Sequence, residues 1–279
     1  MDPDHLSPVG RDHRSPTGTV RQLRSRRSEL ATPASSERMC EKSASSGADL
    51  VFLDLEDACA PVAKERARAT VVGALTKLDW GATVRAVRVN GIETPWCHGD
   101  IIEVVSGARE SLDVIIVPKV RAARDVWWVD VLLTQLETRL RMSKRIGLEV
   151  LIEEAEGLTN AAGIARASDR LEAMIFGAGD LSASLRSRVD GNFDPLGDYP
   201  GDFWHHARAQ VLTAARAAGI DAIDAPFPAY KDHDGYRRSE ADGVGAIGRD
   251  GRLVDAAHMR LSENVLYRAS LAAGERLEH

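Results

Sequence analysis

Eight short apolar runs, most of them separated by stretches suited to helices, restrict the fold of this chain more than any other feature. The runs are ELATP (29–33), LVFLDLED (50–57), VRAVRVN (84–90), LDVIIVPKV (112–120), IGLEVLIEE (146–154), LEAMIFGAGD (171–180), DAIDAPFP (221–228) and the weaker GVGAIG (243–248). They are continuous rather than alternating, as expected of parallel strands covered on both faces. Among the intervening segments, SSERMCEKSASSGA opens on a serine cap, PVAKERARATVVGALTKL carries a proline at its start, and FWHHARAQVLTAARAAG ends on glycine. Eight strands with crossover helices predict an α/β fold of the (β/α)8 TIM-barrel type rather than an open sheet. The eighth strand is inferred from the count of the other seven.

The barrel is expected to occupy residues 26–276 as a single domain. Residues 1–25, rich in Pro, Ser, Gly and Arg and without hydrophobic periodicity, read as a disordered tail. The terminal LEH (277–279) reads as the remnant of an affinity tag. No apolar run approaches the ~20 residues needed to span a bilayer. A net charge of −6 with no basic stripe argues against a nucleic-acid partner. The tail lacks the apolar segment of a secretory signal, and Asp2, Asp4 and Asp12 disfavour a transit peptide. The three cysteines, Cys40, Cys59 and Cys97, have no metal or disulfide spacing, which suits reduced thiols in a cytoplasm.

In a (β/α)8 barrel the active site lies at the carboxyl ends of the strands. Polar residues gather at those ends: Asp54, Glu56 and Asp57, then Arg88 and Asn90, Lys119, Glu153 and Glu154, Asp180, and Asp224. Strand periodicity predicts that Asp54 and Glu56 share a face and that Asp57 points to the other. Salt bridges closing the barrel mouth would account for any one of these residues, but a whole set at equivalent positions points to a site.

Glu153 and Asp180 close consecutive strands, so they are expected to be neighbours. Two carboxylates with room for water and ligand oxygens suit Mg²⁺, or Mn²⁺, better than a softer metal. His205 and His206 are adjacent on a helix and cannot both face one ion, and His98 is isolated. Gly177, Ala178 and Gly179 form a turn whose backbone can approach a small carboxylate closely. Arg88 would stabilise an oxygen on which negative charge develops, or else bridge Glu56 to Glu153.

Several ordered segments resemble the citrate lyase β-subunit-like, HpcH/HpaI-type family of CoA-ester lyases. They are RRSELATPASSERMCEK, ADLVFLDLEDACAPVAKERAR, VRVNGIETPWCHGD, IIVPKV, EVLIEEAEGLTNAAGIA, FGAGDLSASLRSR and YPGDFWHHARAQVLTAARAAGIDAIDAPF. RSELATP, VDVLLTQLE and GDFWHHA are most similar to the malyl-CoA and β-methylmalyl-CoA lyase branch.

The resemblance implies that Glu153 and Asp180 bind Mg²⁺ and that Arg88 contacts the thioester and carbonyl oxygens. It further implies that Glu56 and Asp57 organise the metal waters and the arginine. Arg27, Arg38 and Lys42 become candidates for the phosphates of coenzyme A, a part of the substrate. The implied reaction is reversible Claisen-type cleavage of a 3-hydroxyacyl-CoA such as malyl-CoA into acetyl-CoA and glyoxylate, in a homotrimer or homohexamer. Aldol chemistry on free 2-oxo acids, malyl-CoA hydrolysis and non-catalytic CoA binding are the alternatives.

Two departures bear on this. GRDGRLVDAAHMRLSENVL stands where the family has a Gly-Lys-Trp stretch and an Ile-His-Pro turn. The C-terminal lid module that supplies an acid in longer lyases is not expected, leaving Asp255 as a substitute.

Overall fold

The computed structural model describes residues 22–190, 193–197 and 199–226. Seven parallel strands follow one another in sheet order, each paired with the next. They are β1 (Glu29–Pro33), β2 (Leu50–Asp54), β3 (Val84–Arg88), β4 (Val114–Val117), β5 (Gly147–Ile152), β6 (Leu171–Phe176) and β7 (Asp221–Ile223). The connecting helices are α1 (Glu37–Ala44), α2 (Lys64–Lys77), α3 (Cys97–Ala108) and α4 (Ala123–Leu140). After β5 and β6 come α5 (Ala155–Thr159), α6 (Ala161–Ile164), α7 (Ala178–Ser184) and α8 (His205–Ala217). All seven firmly patterned runs form strands at the expected places. The eighth run, the segment around Asp255, most of the N-terminal tail and the LEH terminus lie outside the described residues.

Local chemistry sets the boundaries. Ser36 caps α1 by accepting the Met39 N–H. Proline at 61 starts a short 3₁₀ turn that leads into α2, so the helix begins three residues later than the proline suggests. Gly219, at φ +69°, turns the chain from α8 toward β7.

Alternate strand residues enter two separate apolar layers, as pleating requires. Val51, Leu53, Val87, Ile115, Val117, Val150, Ile152, Met174 and Phe176 pack outward beneath the helices. Leu50, Ala86, Val114, Ile116, Leu151 and Ile175 form a smaller inner cluster with Phe52, Val84 and Ile223. The second layer gives the sheet a buried concave face, which a flat sheet with helices on one side would not have.

The curl is visible in the ion pairs at the amino ends of the strands. In a flat sheet β1 and β5 would lie about 19 Å apart at ~4.8 Å per strand. Yet Arg26, three residues before β1, donates to Glu149 of β5 at 2.7 Å and to Glu172 of β6, and lies 3.5 Å from Asp221 of β7. Arg24 adds a bond to Glu172 at 2.9 Å and one to the Asp113 carbonyl at 3.2 Å. Only a sheet bent toward closure brings these groups together.

Candidate active site

The register of β2 on β3 sets Asp54 opposite Arg88, each the last residue of its strand. Arg88 donates Nε to Oδ1 at 2.8 Å and Nη2 to Oδ2 at 2.6 Å, a two-pronged clamp. Asp54 also accepts the backbone N–H groups of Glu56 at 2.9 Å and Ala58 at 3.0 Å, so both of its oxygens are committed. The Phe52 ring centre lies 5.7 Å from the guanidinium carbon. Burial works against the charge of Arg88, but Asp54, Glu56 and Glu153 outweigh it and hold the guanidinium more firmly protonated than usual.

The expected bridge from Glu56 to Glu153 therefore takes a different form. Arg88 is clamped by Asp54, stands 3.4 Å from Glu56, and feels Glu153 only through its charge.

The opposed orientation of Glu56 and Asp57 does not hold either. β2 ends at Asp54, and the next residues form a turn tied down by the Asp54 carboxylate, so strand alternation stops there. Both acids reach the Lys119 ammonium, Glu56 at 2.5 Å and Asp57 at 3.3 Å. Buried Lys64 fixes the same turn from behind, donating to the carbonyls of Leu55 at 2.9 Å and Glu56 at 2.7 Å. Glu56 keeps one buried oxygen, Oε2, without a hydrogen-bond partner. Burial lifts its pKa, against the pull of Lys119 and Arg88.

Glu153 directly follows β5 and is 2% exposed. Burial, then the charges of Asp180 and Glu56, push its carboxyl up to about 8. Its Oε1 accepts the backbone N–H of Lys119 at 2.9 Å. Gly177 closes β6 beside it, and a Cβ there would come within 2.6 Å of both Glu153 Cβ and Oε2. That close approach requires glycine. Ala178 and Gly179 begin α7, and Asp180 in its first turn is 3.9 Å from the Lys119 ammonium. The structure thus brings Glu56, Asp57, Arg88, Glu153 and Asp180 together around Lys119.

The donor set fits a divalent cation. A carboxyl raised by burial and by two neighbouring acids, and a buried Glu56 oxygen with no hydrogen bond and only a 3.4 Å ion pair to Arg88, are groups that a doubly charged ion would neutralise. Among the described residues no three His, Cys, Asp or Glu side chains form a ready-made ligand set. Mg²⁺ does not need one, since it commonly takes one or two carboxylates and completes its octahedron with water and substrate oxygens.

Other candidates lie elsewhere. Arg27 precedes β1 and pairs with Asp49, which precedes β2, at 2.6 and 2.8 Å. That is the opposite end of the sheet from Arg88 and Glu153. Arg38 and Lys42 are exposed on α1, one turn apart. His98, His205 and His206 are exposed on α3 and α8. Sequence reading gives no separate role to Asp54, Lys64 or Lys119. For Asp54 the available signal is that it closes β2 as Arg88 closes the neighbouring strand.

Residues 27–257 match the HpcH/HpaI aldolase/citrate lyase family. The chain belongs to this lyase family. It is 33% identical over 302 residues to an L-malyl-CoA/beta-methylmalyl-CoA lyase of Rhodobacter capsulatus, covering 88% of this chain and 95% of that one. It is also 36% identical over 240 residues to a (3S)-malyl-CoA thioesterase of Cereibacter sphaeroides, covering 86% and 76%. Among solved structures, the citrate lyase beta subunit of M. tuberculosis complexed with oxaloacetate and magnesium superposes with a TM-score of 0.60. That match has 26% identity and covers 85% of this chain and 94% of the other. Membership agrees with the curled parallel sheet. Among the described residues no helix is long and apolar enough to cross a membrane.

Proposed function

We propose that this family member is a Mg²⁺- or Mn²⁺-dependent carbon–carbon lyase that cleaves or forms a 3-hydroxyacyl-CoA such as malyl-CoA. The observation that carries the reading is the Asp54-clamped Arg88 guanidinium, which feels the charge of buried Glu153, at the same carboxyl ends of the strands where Lys119 reaches Asp180. Closure of the sheet into a (β/α)8 barrel by the eighth run belongs to the same proposal.

Glu153 and Asp180 would hold the ion, with Gly177 keeping the approach to Glu153 clear. The bound ion supplies Lewis-acid stabilisation of substrate oxygens. Arg88 acts where the chain itself must meet developing charge. Cleavage of the bond between the α- and β-carbons of a 3-hydroxyacyl thioester leaves an enolate, whose oxygen needs preorganised donors. Arg88 spends two N–H groups on Asp54 and retains others. The Asp54 clamp fixes their direction before the substrate arrives. Glu56 and Asp57, paired with Lys119, complete the charge balance. The turn at residues 177–179 receives the carboxylate of the 2-oxo acid. Arg38 and Lys42, exposed on α1, remain the phosphate candidates, in an assembly of three or six chains.

The test is mass spectrometry of CoA thioesters after incubation with acetyl-CoA, glyoxylate and Mg²⁺. A malyl-CoA product that disappears in Glu153→Gln supports the lyase. The likeness to a malyl-CoA thioesterase favours hydrolysis as the second reading. Free malate and CoA from added malyl-CoA, without glyoxylate, would replace the first reading with it.

A further inference from the structure

Lys119 occupies an unusual position for a lysine. It follows Pro118 at the end of β4 and has φ +53°, the left-handed region that a residue with a Cβ enters at a cost of about 1–2 kcal/mol. Strain of this kind persists where surrounding bonds hold it, and it concentrates at functional sites. Here the holding bond is its own N–H on Glu153 Oε1 at 2.9 Å. The same conformation sends the ammonium among three carboxylates of two other segments, Glu56 Oε1 at 2.5 Å, Asp57 Oδ2 at 3.3 Å and Asp180 Oδ1 at 3.9 Å. One residue therefore buttresses the buried acid with its backbone and neutralises the surrounding acids with its side chain.

We propose that Lys119 sets the divalent-ion affinity of this site, its ammonium competing with the ion for the charge of Glu56, Asp57 and Asp180. The proposal rests on the metal reading of Glu153 and Asp180 given above. Three features favour competition over a fixed structural bridge. The Lys119 side chain is 31% exposed, unlike Arg26 at 1%. Its flexible four-carbon stem lets the ammonium withdraw toward Asp57, which is 58% exposed at the rim. Finally, Glu56 Oε2 makes no hydrogen bond and only a 3.4 Å ion pair with Arg88, so the carboxylate is loosely held on the side away from the ammonium. A site neutralised in this way binds a bare divalent ion weakly. It binds the ion more strongly when an acid substrate adds its own oxygens.

A unit charge ~5 Å from a divalent ion, even fully screened by water, changes affinity by about tenfold. The experiment is calorimetric titration of Mg²⁺ into the full chain and into Lys119→Met, Lys119→Gln, Lys119→Arg and Glu153→Gln, with Tm measured with and without Mg²⁺. The neutral variants should bind Mg²⁺ about tenfold more tightly. Their Tm without Mg²⁺ should fall and their rise in Tm on adding Mg²⁺ should exceed that of the parent. Lys119→Arg should bind within about threefold of the parent, because its charge is kept. Two neutral variants guard against one that fails to fold. Equal or weaker Mg²⁺ binding in the neutral variants, with Glu153→Gln still abolishing it, overturns the role of Lys119 alone. Unchanged binding in Glu153→Gln overturns the metal reading and this proposal with it.

Discussion

The two ends of the curled sheet hold the same kinds of groups in opposite states. At the amino ends, Arg26 is enclosed by Glu149, Glu172 and Asp221, and Glu29 lies close enough to feel Glu149 and Asp221. Each nitrogen of that guanidinium faces a carboxylate. At the carboxyl ends, Arg88 has one firm partner, Asp54, and a looser one, Glu56, while Lys119 and Asp180 face solvent. The first network is an internal strut that ties β1 to strands four to six places away. The second is poised for a ligand, because its charges are aligned but not all spent. Sealing, more than the mere presence of buried charge, separates structural ions from chemical ones in this molecule.

Substitution on each side should separate the two roles. Arg26→Met removes one guanidinium from several buried carboxylates and should cost about 3–5 kcal/mol in urea unfolding. Arg88→Lys keeps a charge near Asp54 but loses the fork. It should leave most of the stability intact while turnover of an acyl-CoA substrate drops about 10²–10³-fold. If Arg88→Lys destabilises as much as Arg26→Met, the contrast between the two ends collapses.

Protons sharpen the comparison next. Burial and the charge of Glu149 push Glu29 up to about 9, and burial with Asp180 and Glu56 pushes Glu153 up to about 8, both from 4.5. The folded chain therefore holds protons that the unfolded chain releases, and stability falls as pH rises. Unfolding without added metal should become progressively easier from about pH 5 to about pH 9. Mg²⁺ should restore the part owed to Glu153 and leave the part owed to Glu29. A stability that climbs over this range would contradict both raised carboxyls.

The smallest effect is expected at Arg27. Its side chain is 61% exposed, and its partner Asp49, 8% exposed, keeps the bonds from the Ser25 hydroxyl and the Arg27 N–H, so Arg27→Ala should lower Tm only slightly and leave the KM for an acyl-CoA unchanged. A clear rise in KM would return Arg27 to the CoA site despite its place at the far end of the sheet.

Much of this was written in local sequence. Parallel strands buried on both sides leave unbroken apolar runs, and Glu153, Asp180 and Arg88 are legible because each stands where such a run stops. The Asp54 clamp needs the register of β2 on β3, which no single segment contains. The Arg26 strut joins residues 123 and 146 positions apart in the chain, a pairing that exists only once the sheet has curled. Lys119 was visible as a polar strand end, but its importance comes from a left-handed backbone at a residue type that gives no warning of it. The orientation of Asp57 failed for a simpler reason, since the pleat stops at Asp54.

The clamp on Arg88 also bears on how such a catalyst could be redesigned. Its two partners are adjacent rungs of the sheet, so the direction of the guanidinium is inherited from strand pairing and from the short turn after β2 that holds Asp54, and owes nothing to the other loops. Loop exchanges that enlarge or recharge the mouth would change which acyl group enters while the donor stays aimed at the same point. Selectivity and the reactive geometry are thus separable engineering variables, provided that the strand register and the turn after β2 are kept.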